Sequence, residues 1–305
     1  MTINPHNKTG ADNGSVDLKT LSILYFYCLP QRPNRIERLK LDKASLQKEV
    51  YQFVKNYPTR ACTSTRWNKP LISFASVEDP LFPKLKEWVR PSHALPQNLL
   101  PTGKTVIVYF LPFEDQVQKD NAREGIYPSQ SWAVAYVETN RLIHDLNDHL
   151  KHFLGEAGYQ TVHTPATHNY DPSILLSDWS HRHIAYIAGL GRLGLNNLLI
   201  TEKGCCGRLG SFVTEAVFSP TSRPEYEFCL SKAGYECSAC LSRCACGALS
   251  LDRFDRHACN RRLLENDAYL AHSGTETKGT TDVCGKCGVG LPCSVSNPVA
   301  RRTRL

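Results

Sequence analysis

A chain of 305 residues has room for two domains or one large one. Its composition, 41% hydrophobic and 21% charged, is ordinary for a globular protein, and no apolar run is long enough to cross a bilayer. The net charge of +7 is a moderate excess on scattered residues, short of a polybasic signature for nucleic acid or membrane. The polar start "MTINPHNKTGADNGSVD" has no apolar signal core, so a cytoplasmic protein without membrane contact is expected.

Taken in order, "LDKASLQKEVYQFVKN" (41–56) predicts a helix, with Leu46, Val50 and Val54 at spacing four. "KPLISFASVEDPLF" (69–82) reads as a strand running into a turn, and "KTVIVYFLPF" (104–113) as a buried strand. "SWAVAYVETNRLIHDLNDHLKHFLGEAG" (131–158) predicts a long helix with Ala135, Leu142, Leu146, Leu150 and Leu154 on its apolar face. "YQTVHTP" (159–165) is a further strand, "WSHRHIAYIAGLG" (179–191) a helix stopped by glycines, and "RLGSFVTEAVF" (208–218) a strand. The alternation predicts an α/β core over roughly 40–220. Beyond Pro220 large aliphatic residues thin out and Cys, Gly and short polar stretches take over, with 271–282 read as a loop. Such a segment builds little core, and bound metal would substitute for one.

Of the 13 cysteines, 11 lie after residue 204. An odd number of thiols, clustered in a reducing compartment, points to metal ligands rather than disulfides. "YECSACLSRCACGALS" (235–250) holds C-x2-C-x3-C-x-C, and "CGKCGVGLPC" (284–293) holds C-x2-C-x5-C. Setting Cys246 aside leaves eight cysteines after Pro220, the number for two [4Fe–4S] clusters. In two-cluster ferredoxins the fourth cysteine of a run serves the other cluster. That rule assigns Cys229, Cys237, Cys240 and Cys293 to the first cluster, and Cys244, Cys259, Cys284 and Cys287 to the second. Zinc is the rival reading, since paired C-x2-C hairpins also make tetrahedral sites. Cys205 and Cys206 read as small residues in a tight loop, and Cys28 and Cys62 as small apolar residues.

"AGLGRLGLNNLLITEKGCCGRLGSFVTE" (188–215), followed by this cysteine order, resembles the epoxyqueuosine reductase family. The likeness is greater to a short epoxyqueuosine reductase-like branch, related to reductive dehalogenases, and covers roughly residues 70–300. The resemblance implies a nitroreductase-like α/β (α+β) core that binds cobalamin, with a C-terminal ferredoxin-like domain holding two [4Fe–4S] clusters. The implied division is an N-terminal extension (1–40), a cofactor-binding core (41–220) and the cluster domain (221–305). The implied activity is a reductase that passes electrons from an external ferredoxin- or flavodoxin-type donor through the clusters to the corrinoid. An electron-transfer or corrinoid-reactivating protein without its own substrate is the alternative, and an iron–sulfur nucleic-acid binder using the basic tail "ARRTRL" (300–305) is a third.

The chain departs from the family pattern at Ala245 and Ser294, where proline normally follows the fourth cysteine of a run. It ends at Leu305, with no room for the helical-repeat module with which fuller members grip tRNA. That ranks tRNA below a small molecule or modified nucleoside as substrate. Corrinoid contacts are expected from Gly189, Leu190, Gly191, Gly194, Asn196, Gly207, Arg208, Gly210 and Ser211, where glycine lets backbone approach a flat ring. A helix-ending turn without ligand is the competing reading of the same glycines. Asp178 is the first candidate for a proton donor kept neutral by burial, Asp171 the second, with His183 and Tyr186 next.

Overall fold

The computed structural model describes residues 41–123, 125–164, 169–273 and 281–302. The N-terminal extension, Cys28, the middle of the 271–282 loop and the last three residues of the basic tail lie outside the described residues. In chain order the elements are α1 (Lys43–Ala61), β1 (Leu71–Ser76), α2 (Leu85–Trp88), α3 (Pro96–Leu99), β2 (Thr105–Pro112), α4 (Asp115–Ala122), α5 (Gln130–Glu156) and β3 (Thr161–His163). They continue with α6 (His181–Ile187), β4 (Gly191–Leu193), β5 (Leu199–Thr201), β6 (Gly207–Thr214), α7 (Ala239–Ser242), α8 (Arg256–His272) and α9 (Pro298–Arg302).

The sheet is built around β2, whose residues are all buried. Its alternation sends Ile107, Tyr109 and Leu111 to one face and Val106, Val108 and Phe110 to the other. On the first face α1 and α5 pack through Leu46, Val50, Val54, Leu142, Leu146 and Leu150. On the second, α6 and the 179–190 segment pack through Trp179, Ile184, Ile187 and Leu190. A strand covered on both sides reads as one continuous apolar run, as "TVIVYFLP" does.

Strand order is β1-β2-β6-β3, and every pairing is antiparallel. The α/β (α+β) expectation therefore takes its α+β form. β4 and β5 make a separate hairpin, with Gly191 opposite Thr201 and Leu193 opposite Leu199. Both long helices of the core begin at side-chain caps: Asp42 accepts from Ser45 N (2.7 Å), and Ser129 from Trp132 N (3.2 Å).

Helix α8 has no counterpart among the expected elements. Its buried residues are Arg262, Asn266 and Leu270, a stripe at spacing four that is polar in two of three positions. Hydrophobic periodicity cannot register such a helix. Its N-terminus is capped by Asp255, which accepts from Ala258 N (2.9 Å).

Candidate functional site

Backbone contacts draw the cysteine loops onto the core. At Gly204 (φ +75°) a Cβ would stand 2.3 Å from Ser294 O, so only glycine lets the 201–206 turn lie against residues 293–295. There Cys205 N donates to Cys293 O (3.0 Å) and Cys206 N to Ser294 O (2.9 Å). Gly285 plays the same part at the second C-x2-C turn, where its missing Cβ leaves room for the Trp132 ring.

Cys229, Cys237, Cys240 and Cys293 line one cavity, together with Asn196, Ile200, Leu291 and Pro298. Cys244, Cys246, Cys259, Cys284 and Cys287 line another, with Cys205, Trp132, Arg262 and Lys286. The members of each crossed set thus share a cavity, and Cys246 stands with the second set, its Sγ 3.9 Å from that of Cys244. Among the described residues, no three or more His, Cys, Asp or Glu side chains converge as ligands of a single ion would. The thiols stand around spaces rather than around a point.

Burial pushes the Cys240 thiol up to about 11 and the Cys259 thiol up to about 12, and neighbouring thiols add to both shifts. Cys287 is raised as well, again chiefly by burial. Side-chain interaction between Cys205 and Cys293 pulls Cys293 below the ordinary thiol range and pushes Cys205 above it, while Cys205 Sγ donates to Gly288 O (3.6 Å). Thiols that burial makes costly to ionise suit a cationic metal centre that offsets their charge.

The second cavity also contains buried cations. Lys286 Nζ donates to Asn121 O (3.1 Å) and Arg123 O (3.4 Å). Arg262 donates to Ile126 O (3.0 Å) and to Glu265 Oε2 (3.0 Å). Its buried Nε has no hydrogen-bond partner among the described residues. A buried donor left over beside a ring of thiols fits an anionic, thiolate-bound group.

A cleft adjoins this cavity and shares Trp132, Gly207, Cys284 and Gly285 with it. Tyr136, Arg208 and Asp282 complete its polar wall. The Arg208 guanidinium lies over the Tyr136 ring at 4.3 Å. Asp282 is raised by burial. Sequence reasoning passed over Trp132, Tyr136, Arg262, Lys286 and Asp282. The available signal was position: Trp132 and Tyr136 are one turn apart on a long helix, and the other three lie within three residues of cluster cysteines.

Of the expected corrinoid contacts, only Gly207 and Arg208 line this cleft. Gly189 and Leu190 line a separate pocket with α1 and β1, Asn196 lines the first cysteine cavity, and the local contacts of these residues lie within the chain. Gly189 (φ +75°) closes a Schellman turn after α6, with Gly189 N donating to Tyr186 O (3.1 Å) and Leu190 N to Ala185 O (3.0 Å). A Cβ on Gly191 would stand 2.1 Å from Ile200 O, one on Gly194 2.6 Å from Asn196 Oδ1, and one on Gly210 2.3 Å from the Tyr109 ring. Ser211 Oγ accepts from Trp179 Nε1 (2.9 Å) and contacts His181 Nδ1 (2.8 Å). Asn196 Nδ2 donates to Cys287 O (2.9 Å). Close packing of the chain on itself therefore accounts for glycine at 189, 191, 194 and 210.

The proton-donor candidates fall into two other places. Asp178 accepts from Ser92 Oγ (2.6 Å) and pairs with Arg90 Nε (3.3 Å). Asp171 lies 3.7 Å from Arg90 Nη2, and hydrogen bonds from Ser173 hold its carboxyl below the usual range. Asp171 is thus favoured as a carboxylate rather than as a neutral acid, and Asp178 shares its arginine. His183 and Tyr186 line a surface pocket with Trp88, Leu193, Glu227 and Lys232. Burial holds His183 down at about 3, so it carries no exchangeable imidazolium proton near neutrality.

The α+β sheet with helices on both faces, carrying the cysteine loops on one end, defines a fold shared with solved reductases. It is similar to epoxyqueuosine reductase from Bacillus subtilis, with TM-score 0.50 and 19% identity over 82% of this chain and 66% of that one. An epoxyqueuosine reductase with an epoxyqueuosine-modified tRNA stem loop gives 0.48 and 19% over 82% and 66%. A reductive dehalogenase whose structure is connected with B12-dependent dehalogenation gives 0.48 and 15% over 77% and 31%. The chain thus spans just under two thirds of the epoxyqueuosine reductase chains it resembles. No protein-family model matches the chain, and no curated protein does. Among the described residues no helix is long and apolar enough to cross a membrane.

Proposed function

We propose that the chain is an iron–sulfur reductase that holds two [4Fe–4S] clusters and works with a corrinoid. The observation that carries this reading is that two crossed cysteine sets line two separate cavities. In zinc sites four ligands meet at one ion with Zn–S near 2.3 Å. Thiols spread around a cavity suit a polynuclear centre better. In this reading Cys229, Cys237, Cys240 and Cys293 hold the first cluster, and Cys244, Cys259, Cys284 and Cys287 the second, with Cys246 packed beside it.

The cleft of Trp132, Tyr136, Gly207 and Arg208 is the place for the corrinoid or substrate, because it opens onto the second cavity. When bound, the clusters supply one-electron transfer and a corrinoid supplies a low-valent cobalt for reduction. Trp132 and Gly285 line both cavity and cleft, and Arg208 offers a fixed cation to an anionic group in the cleft. Residues 41–220 serve as the acceptor-binding half and 221–305 as the electron-supplying half. The proposed substrate is a small molecule or modified nucleoside, with tRNA a lesser expectation. The chain is expected to work in the cytoplasm and to draw electrons from a ferredoxin- or flavodoxin-type donor.

A second reading, an electron-transfer protein without its own substrate, is favoured by the inward packing of Gly189, Gly191 and Gly194, which removes the expected ring cradle. Anaerobic reconstitution with iron, sulfide and cobalamin separates the two. About eight irons per chain, absorbance near ~400 nm and corrinoid co-eluting on size exclusion are expected. Eight irons without corrinoid select the electron-transfer reading, and a zinc-loaded, colourless protein rejects both.

A further inference from the structure

The two cavities differ in charge. Asn196, Ile200, Leu291 and Pro298 wall the first beside its thiols, and among the described residues no charged side chain apart from the thiols lines it. Arg262 and Lys286 line the second, 7% and 4% exposed. Reduction adds negative charge to a thiolate-bound cluster, so nearby cations favour the reduced form and raise the potential. Low exposure keeps that field from being screened.

One feature at the first cavity pulls the same way there. The Cys205 thiol packs against Cys293, and donors to a ligating sulfur also raise a potential. An S–H is a weak donor that only redistributes charge. Two buried cationic side chains outweigh it, even with Arg262 paired to the largely exposed Glu265 (3.0 Å). The cavities are also joined: Asn196 lines the first, and its Nδ2 donates to the Cys287 carbonyl of the second (2.9 Å).

Resting on the two-cluster reading, we propose that Arg262 and Lys286 make the second cavity the electron-accepting end of a one-way relay. A ferredoxin- or flavodoxin-type donor supplies one electron at a time. The first cluster is oxidised as the second is reduced; no bond is made or broken and no proton is taken up. The electron then leaves toward the cleft of Trp132 and Arg208.

An anaerobic potentiometric titration of the reconstituted full chain, followed by electron paramagnetic resonance, tests the order. Two separate midpoint potentials are expected, and Cys229→Ser, which leaves the second cluster, should keep the higher one. Lys286→Gln and Arg262→Gln should each move the higher potential to more negative values, leave the lower one in place and keep iron near about eight per chain. Lys286→Arg should restore the wild-type value. A single shared potential, retention of the lower potential by Cys229→Ser, or a shift of the lower potential in the Gln variants overturns the relay. If a Gln variant fails to hold its iron, the Cys229→Ser measurement alone decides the order. Wild-type chain that takes up no iron overturns the two-cluster reading, and the relay with it.

Discussion

Along β2 every side chain is buried among other apolar side chains from both helical layers. Along α8 the buried stripe is Arg262, Asn266 and Leu270: Arg262 lines the cavity ringed by thiols, Asn266 donates to Val283 O (2.7 Å) and Leu270 packs with Ala133 and Val283. The first region draws on apolar burial, at roughly 1.5–3 kcal/mol for each large side chain fully buried. The second buries polar and ionisable groups, of which Arg262 Nε and Asn266 Oδ1 have no hydrogen-bond partner among the described residues. Such an arrangement is stable when an external group completes it, which in the proposed function is a metal cluster.

The contrast is broken most directly by withholding iron and sulfide. The metal-free chain should keep the far-ultraviolet signature of its sheet while limited proteolysis cuts first between residues 229 and 293. Equal resistance of that segment with and without metal would erase the distinction. Within the cysteine region, Cys229→Ser should lower iron from about eight toward about four per chain, and Cys246→Ser should leave it near eight. Iron lost on changing Cys246 and kept on changing Cys229 would move the ligand assignment.

The glycines sharpen the comparison on the core side. Gly191→Val drives a side chain into Ile200 O of the β4–β5 hairpin. It should destabilise the metal-free protein by about 1–3 kcal/mol, the usual range for overpacking. Urea unfolding of both proteins checks this. An unchanged midpoint together with lost corrinoid binding would restore the ligand-facing role.

The smallest effect concerns pH. Burial holds His183 at about 3 in the folded chain, against about 6.5 unfolded. Between those values the unfolded chain binds a proton that the folded chain does not. The stability this group contributes is complete above pH ~6.5 and is lost as pH falls toward ~3. His93 and His163, also lowered by burial, share the trend. His183→Gln should flatten, without abolishing, the fall in unfolding free energy between pH 7 and pH 4. A slope equal to wild type would show that the imidazole is not sheltered.

Periodicity alone located α1, β2, α5, α6 and β6, because each presents a regular apolar face and local patterning suffices where burial is apolar. Cysteine spacing alone proposed which thiols belong together, since the crossing rule is a property of chain order. Three things waited for tertiary structure. The antiparallel order β1-β2-β6-β3 depends on crossovers that no local window contains. The work of Gly189, Gly191 and Gly194 became visible only with residues 221–223 and β5 in place, because a missing Cβ has meaning only against what fills its space. The cleft and the adjoining cavity bring together Trp132, Arg208, Arg262 and Asp282 from segments more than fifty residues apart in places. Side chains this distant in sequence leave no common pattern along the chain, and only the packing of α5, β6 and α8 makes them neighbours.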